Sequence, residues 1–152
     1  MTKPCSSEVR KSVLEYFETR FGITSSKLGS FELYDAGNEK VYLGPKNYLG
    51  EPKMVSAGIL AIRYGPPHKP STNFFQSLGH LVERNAVTLD ETNVKAFLAG
   101  EDIKISEKEI NGSTDGYVLV RYQKFNLGCA HLSNNLLKNQ IPKSKMLEVN
   151  YI

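Results

Sequence analysis

The run from Gly116 to Lys143, GYVLVRYQKFNLGCAHLSNNLLKNQIPK, limits the folds open to this chain more than any other stretch. Tyr117 to Tyr122 is rich in β-branched and aromatic residues and reads as a strand. Alternation puts Val118, Val120 and Tyr122 on one face and Tyr117, Leu119 and Arg121 on the other. Both faces are largely apolar, so both need cover, which a barrel wall supplies better than an open sheet does. Lys124 to Asn126 is expected to turn the chain and Leu127 to Leu132 to return it. Ser133 to Asn139 reads as a polar connection, and Met146 to Ile152 as a last strand that closes the sheet.

Upstream, Ser6 or Ser7 can cap a helix over Glu8 to Arg20, with Val9, Val13, Tyr16, Phe17 and Phe21 at helical spacing and Gly22 to end it. Phe31 to Tyr34, a turn at Asp35 to Asn38, and Lys40 to Leu43 read as a hairpin. Lys46 to Lys53 reads as a loop or short helix, and Met54 to Tyr64 as a buried, bent strand or strand pair around Gly58. Gly65 to Ser71 is a stiff loop, Phe74 to Val82 a short helix and Asn85 to Leu89 a strand. Asp90 to Ala99 is a capped helix stopped by Gly100. Glu101 to Ile105 is a short strand, and Ser106 to Asp115 a polar loop.

The pattern changes near residues 86 to 92, and no internal repeat links the two sides. The expectation is an α+β chain of two units: a mixed α/β unit over 1–87 and a barrel-like unit over 88–152. A chain of 152 residues buries roughly two-thirds of its unfolded surface, enough for a real core.

Charge placement matters more here than the net charge of +3. No apolar run is long enough for a membrane span and no signal peptide is legible at the N-terminus, so the expectation is a cytoplasmic protein with no membrane partner. Two cysteines and three histidines at scattered positions give no metal spacing, and no glycine loop for a nucleotide precedes a helix, so no cofactor or metal is expected. Cys5 follows Pro4, the nucleophile dipeptide of RNA cytosine-5 methyltransferases. It stands near the N-terminus without a preceding strand or a neighbouring acid, so no catalytic role is read into it.

Three segments carry binding chemistry. Arg121 and Lys124 fall near the rim of the predicted wall, where the bland reading is solvated charge at a strand end. Ser133 to Lys145 holds Lys138, Lys143 and Lys145 among amides and hydroxyls with no acid, and His131 just upstream adds a stacking face. Lysines attract phosphate and amides bind it without reading sequence, although a solvated loop guarding a strand edge has the same look. Arg63 to Pro70 interleaves Arg63 and Lys69 with Tyr64 and a Pro-Pro pair. It is a single-strand platform on the sharp reading and a fixed turn on the bland one.

In order along the chain, Phe97 to Ile103, Gly116 to Val120, Asn126 to Gly128 and Leu137 to Lys143 resemble a PUA domain, and Lys138-Asn139 with Pro142 is similar to the PUA-like tail of the Fmu/Sun family of RNA cytosine-5 methyltransferases. Arg20 to Ile23, Phe31 and Val41 to Leu43 resemble the small pre-PUA domain of that group and of pre-PUA/PUA ribosome-biogenesis factors. The resemblance implies a non-catalytic RNA-binding protein acting on rRNA or tRNA in ribosome biogenesis or RNA modification. It places Gly100 and Lys104 on the glycine-loop side of the surface and Arg121, Lys138, Asn139 and Lys143 on the late side. These 152 residues hold no counterpart of the methyltransferase domain, and Ser133-Asn134-Asn135 stands where relatives are more basic and glycine-rich. A second reading is a protein-interaction adaptor, with the first unit presenting Phe74, Phe75 and Leu78 to a partner.

Overall fold

The computed structural model describes residues 2–48, 53–54 and 58–142. The chain divides into two units, Met1–Glu83 and Arg84–Ile152.

In the first unit, helix α1 (Ser7–Phe21) starts where Ser6 Oγ accepts from Val9 N and ends at Gly22, left-handed at φ 73. Five antiparallel strands stand in chain order: β1 (Lys3–Pro4), β2 (Phe31–Asp35), β3 (Lys40–Pro45), β4 (Ile59–Arg63) and β5 (Lys69–Pro70). Helix α2 (Thr72–Leu78) is capped by Ser71 Oγ, which accepts from Phe74 N at 2.9 Å. Val13, Phe17 and Phe21 of α1 are fully buried, and Phe17 stacks on Phe74 of α2 with ring centroids 4.5 Å apart. Each such ring contributes roughly 1.5–3 kcal/mol by leaving water.

The first-unit expectations need three corrections. Phe74 and Phe75 are 0% exposed, so they are core and present no groove to a partner. The α2 segment ends at Leu78, and Gly79–Leu81 is a separate 3-10 turn. The stretch from Met54 is not strand throughout: Met54 is helical, Gly58 N donates to Met54 O at 2.8 Å, and strand begins at Ile59. Gly58 is required because a Cβ there would lie 2.7 Å from the Leu43 carbonyl oxygen.

Cys5 sits beside β2, its N–H donating to Leu33 O. Burial, Asp35 and Glu32 push its thiol up to about 11. A thiolate is the reactive form, so iodoacetamide near neutral pH is expected to leave Cys5 unmodified in the folded chain. Alkylation as fast as that of free cysteine, followed by mass spectrometry, would refute this.

The second unit is a five-stranded sheet in the order β6-β8-β9-β10-β7. The strands are β6 (Ala86–Thr88), β7 (Ile103–Lys104), β8 (Gly116–Tyr122), β9 (Phe125–Ser133) and β10 (Leu136–Asn139). β6 pairs with β8 in parallel and the other pairs are antiparallel. Helix α3 (Glu91–Leu98) begins at Asp90, whose Oδ1 accepts from Asn93 N at 2.7 Å. Its Val94, Phe97 and Leu98 enter a core with Val87, Val118, Val120, Ala130, Leu132 and Leu137.

Two expectations change in this unit. Ser133 to Asn139 is no polar connection: Asn134 and Asn135 both adopt positive φ, 51 and 66, and turn β9 into β10 with Ser133 opposite Leu136. Asparagine tolerates that conformation, and two such residues make the tight turn that suits a twisted hairpin. Ser106 to Asp115 is no plain loop either. It contains helix α4 (Glu107–Ile110), started by a capping box in which Ser106 and Glu109 bond reciprocally. Lys143, Lys145 and the expected strand Met146 to Ile152 lie outside the described residues, as do 49–52 of the expected loop.

Candidate nucleic-acid interface

Alternation sends Val118, Val120, Ala130 and Leu132 into the core and turns Tyr117, Arg121, His131 and Lys138 to the other face, where the neighbouring pair Leu119 and Cys129 is buried as well. Tyr117 pairs with His131, and His131 with Lys138, so the three form one row across β8, β9 and β10. The Tyr117 and His131 rings meet edge to face with centroids 5.0 Å apart. Burial raises the Tyr117 phenol above its ordinary pKa, so it remains a neutral hydroxyl. Lys104 on β7 pairs with Leu136, one alternation from Lys138, which brings the two lysines to diagonal positions on the same face, roughly 7–8 Å apart. Both are exposed. The row is therefore aromatic at one end and cationic at the other. Such a surface can stack an unpaired base and neutralise the phosphates beside it.

Asn139 has a different environment. Its Nδ2 donates to Phe97 O at 2.6 Å and Glu101 O at 3.4 Å, and its Oδ1 accepts from Ile141 N at 2.9 Å. The side chain buckles the end of β10 to the last turn of α3 and to the loop through Gly100. Gly100, at φ 94, makes the bend that brings Glu101 O within reach. Arg121 is half-buried, its Nε donating to Asn126 Oδ1 at 2.9 Å, and burial lowers its pKa from the usual value. Lys124 stands exposed at the β8–β9 turn, far along the hairpin from Lys138, next to Phe125, the large hydrophobic side chain exposed at 55%. The structure thus gathers Lys104 and Lys138 and leaves Lys124 apart. Tyr117 was readable only as wall and Phe125 only as part of a turn. Exposed aromatic character next to lysine was the one available signal for Phe125.

In the first unit, Arg63 pairs with both Lys40 and Lys69 across β3, β4 and β5. Beyond them His68 Nδ1 accepts from Gly65 N at 3.0 Å, and Nε2 lies 2.9 Å from Ser12 Oγ. Burial lowers the His68 pKa, so the ring is neutral at pH 7. With Nδ1 accepting, the proton is on Nε2 and is donated to Ser12, so the ring cannot take the serine proton and the pair is not a nucleophilic dyad. Among the described residues no three His, Cys, Asp or Glu cluster as metal ligands, and no helix is long and apolar enough to cross a membrane.

Residues 84–145 match the family model described as the methyltransferase RsmF PUA domain. The chain is 28% identical over 144 residues to a protein of Shewanella loihica named ribosomal RNA small subunit methyltransferase F, and 27% identical over 139 residues to one of that name from Shewanella piezotolerans. These alignments cover 92% and 86% of this chain but only 28% and 27% of the relatives.

Proposed function

We infer, from a second unit that is a PUA domain similar to the C-terminal part of the Fmu/Sun rRNA methyltransferases, that this chain binds RNA without itself carrying a catalytic centre, and that small-subunit ribosomal RNA is its ligand. The observation that carries this reading is the row Tyr117, His131, Lys138 with Lys104 beside it, stacking groups and phosphate-binding cations on one face. The family model that matches is of a PUA domain, over residues 84–145, and the chain aligns with only about a quarter of the relatives' length, which supports a binding rather than a catalytic role. Lys104 and Lys138 neutralise phosphates, Tyr117 and His131 offer ring faces and edges to a base, and Asn139 holds the surface in shape. A role within the cytoplasmic machinery of ribosome biogenesis follows from that ligand.

The test is the full chain against a labelled small-subunit rRNA fragment across a salt series. In Lys104→Glu/Lys138→Glu, affinity at moderate salt is expected to fall roughly tenfold or more, and the log–log salt slope to drop by about two. An unchanged affinity and slope would remove this face from the reading.

A further inference from the structure

We propose that the first unit carries its own single-stranded RNA site, in which Lys40, Arg63 and Lys69 hold phosphates and a base enters the aromatic cleft of Tyr16, Tyr64 and His68. The proposal shares with the preceding reading only the class of ligand and uses none of the second unit's residues.

The row comes first. Lys40 faces Arg63 and Arg63 faces Lys69 across three adjacent strands. The neighbouring row, Val41, Ile62 and Pro70, is buried, so the cations occupy the face away from the core. The ion pairs found among the described residues, Arg10–Glu32, Lys11–Glu15 and Lys27–Glu83, include none of the three. Like charges placed directly opposite one another weaken a sheet. A polyanion laid across them removes that repulsion and gains from all three.

The cleft comes second. Glu39, Tyr64 and His68 are each the chain neighbour of one cation in the row, and they line a cleft of about 710 Å³ together with Tyr16 and the cis-linked Pro66-Pro67. That volume lies in the range of small-molecule sites. Tyr64 stacks near-parallel to His68 with centroids 5.7 Å apart, and Tyr16 meets His68 edge-on at 5.3 Å. The bonds from Gly65 and to Ser12 fix the His68 ring, so the stacking ledge is built before any ligand arrives. The Glu39 carboxylate borders the cleft, since a Cβ on Gly65 would lie 3.1 Å from Glu39 Oε2. A carboxylate there repels phosphate. The charge pattern therefore orients a strand with phosphates toward the row and a base inward. A proline-rich peptide would use the rings but would have no need of three aligned cations.

The experiment is an NMR titration of the full chain at low salt, following the Tyr64 and His68 ring signals. The probes are a uridine decamer and, separately, a proline decamer. The uridine decamer is expected to shift both rings saturably, and Lys40→Glu/Arg63→Glu to weaken this at least tenfold. The milder pair Arg63→Ala/Lys69→Ala should weaken it in the same direction with unchanged circular dichroism. Tyr64→Ala should lose roughly tenfold and Tyr64→Phe should restore it, because stacking needs the ring and not the hydroxyl. The shifts should persist in Lys104→Glu/Lys138→Glu, which separates this site from the face on the second unit. Rings unmoved by the uridine decamer, wild-type affinity in Lys40→Glu/Arg63→Glu, or shifts with the proline decamer alone would overturn the proposal.

Discussion

Replacing Glu109 by glutamine is expected to destabilise the second unit by roughly 3 kcal/mol, because the site is built for a carboxylate. Glu109 is 7% exposed. Its Oε1 accepts from Ser106 N at 3.0 Å and Ser106 Oγ at 3.2 Å, its Oε2 from Asp90 N at 3.2 Å, and Asn93 Nδ2 reaches both oxygens at 3.1 Å. One side chain thereby fastens the start of α3 to the start of α4. An amide keeps one acceptor and turns a donor toward donors. For a unit of this size that loss corresponds to a fall of roughly 12–24 °C in its thermal midpoint. Hydrogen exchange of the Val118 and Val120 amides, which lie in this unit's core, reports it separately from the first unit. A midpoint within two degrees of wild type would refute the argument.

The same residue sets a pH dependence. Burial alone would raise the Glu109 pKa, but the bonds from Ser106, Asn93 and Asp90 outweigh it and hold it below 4.5. A carboxyl depressed in the folded state contributes stability above its unfolded pKa and loses it as pH falls through the folded value. The wild-type unit should therefore weaken below about pH 4.5, and the glutamine variant should lack that part of the decline.

Asn139→Ala is expected to cost roughly 2–3 kcal/mol in stability while leaving RNA affinity within about twofold, measured below the unfolding transition. The alanine leaves Ile141 N without its side-chain partner and removes the amide bond to Phe97 O, which keeps only its backbone donor Gly100 N, so β10 stays tied to the loop after α3 through the bond from Asn139 N to Asp102 Oδ1. A large loss of affinity with unchanged stability would return Asn139 to the binding surface. The opposite pattern is expected for Lys104 and Lys138, which are exposed and should change affinity and salt slope with little effect on stability.

This contrast marks what was readable in the chain. Lys138 and Asn139 are adjacent and equally polar in sequence, and the run that contains them names a binding edge without distinguishing contact from clamp. The distinction depends on Phe97 and Glu101, which are distant in sequence and reach Asn139 only once the chain is folded. Glu109 lay within reach of the sequence, since Ser106 followed three residues later by Glu109 is a capping-box signature. The polar composition around it pointed to loop instead.

Local chemistry alone determined α1 with its Ser6 and Gly22 ends, α3 after Asp90, the β2–β3 hairpin and the strand Tyr117 to Tyr122, because caps, periodicity and turn residues act over a few positions. Register did not follow from it. Counting back from the turn after Tyr122, an unbulged hairpin would set Tyr117 opposite Ala130, a core residue. The irregularity between Val120 and Arg121 shifts the pairing by one and brings His131 opposite Tyr117. A shift between Val41 and Tyr42 likewise precedes the pairing of Lys40 with Arg63. One extra residue in a strand moves every later side chain to the other face. Both rows, the two proposed RNA-binding surfaces, therefore exist only in the tertiary structure, where packing of the two cores decides which residue each strand leaves over.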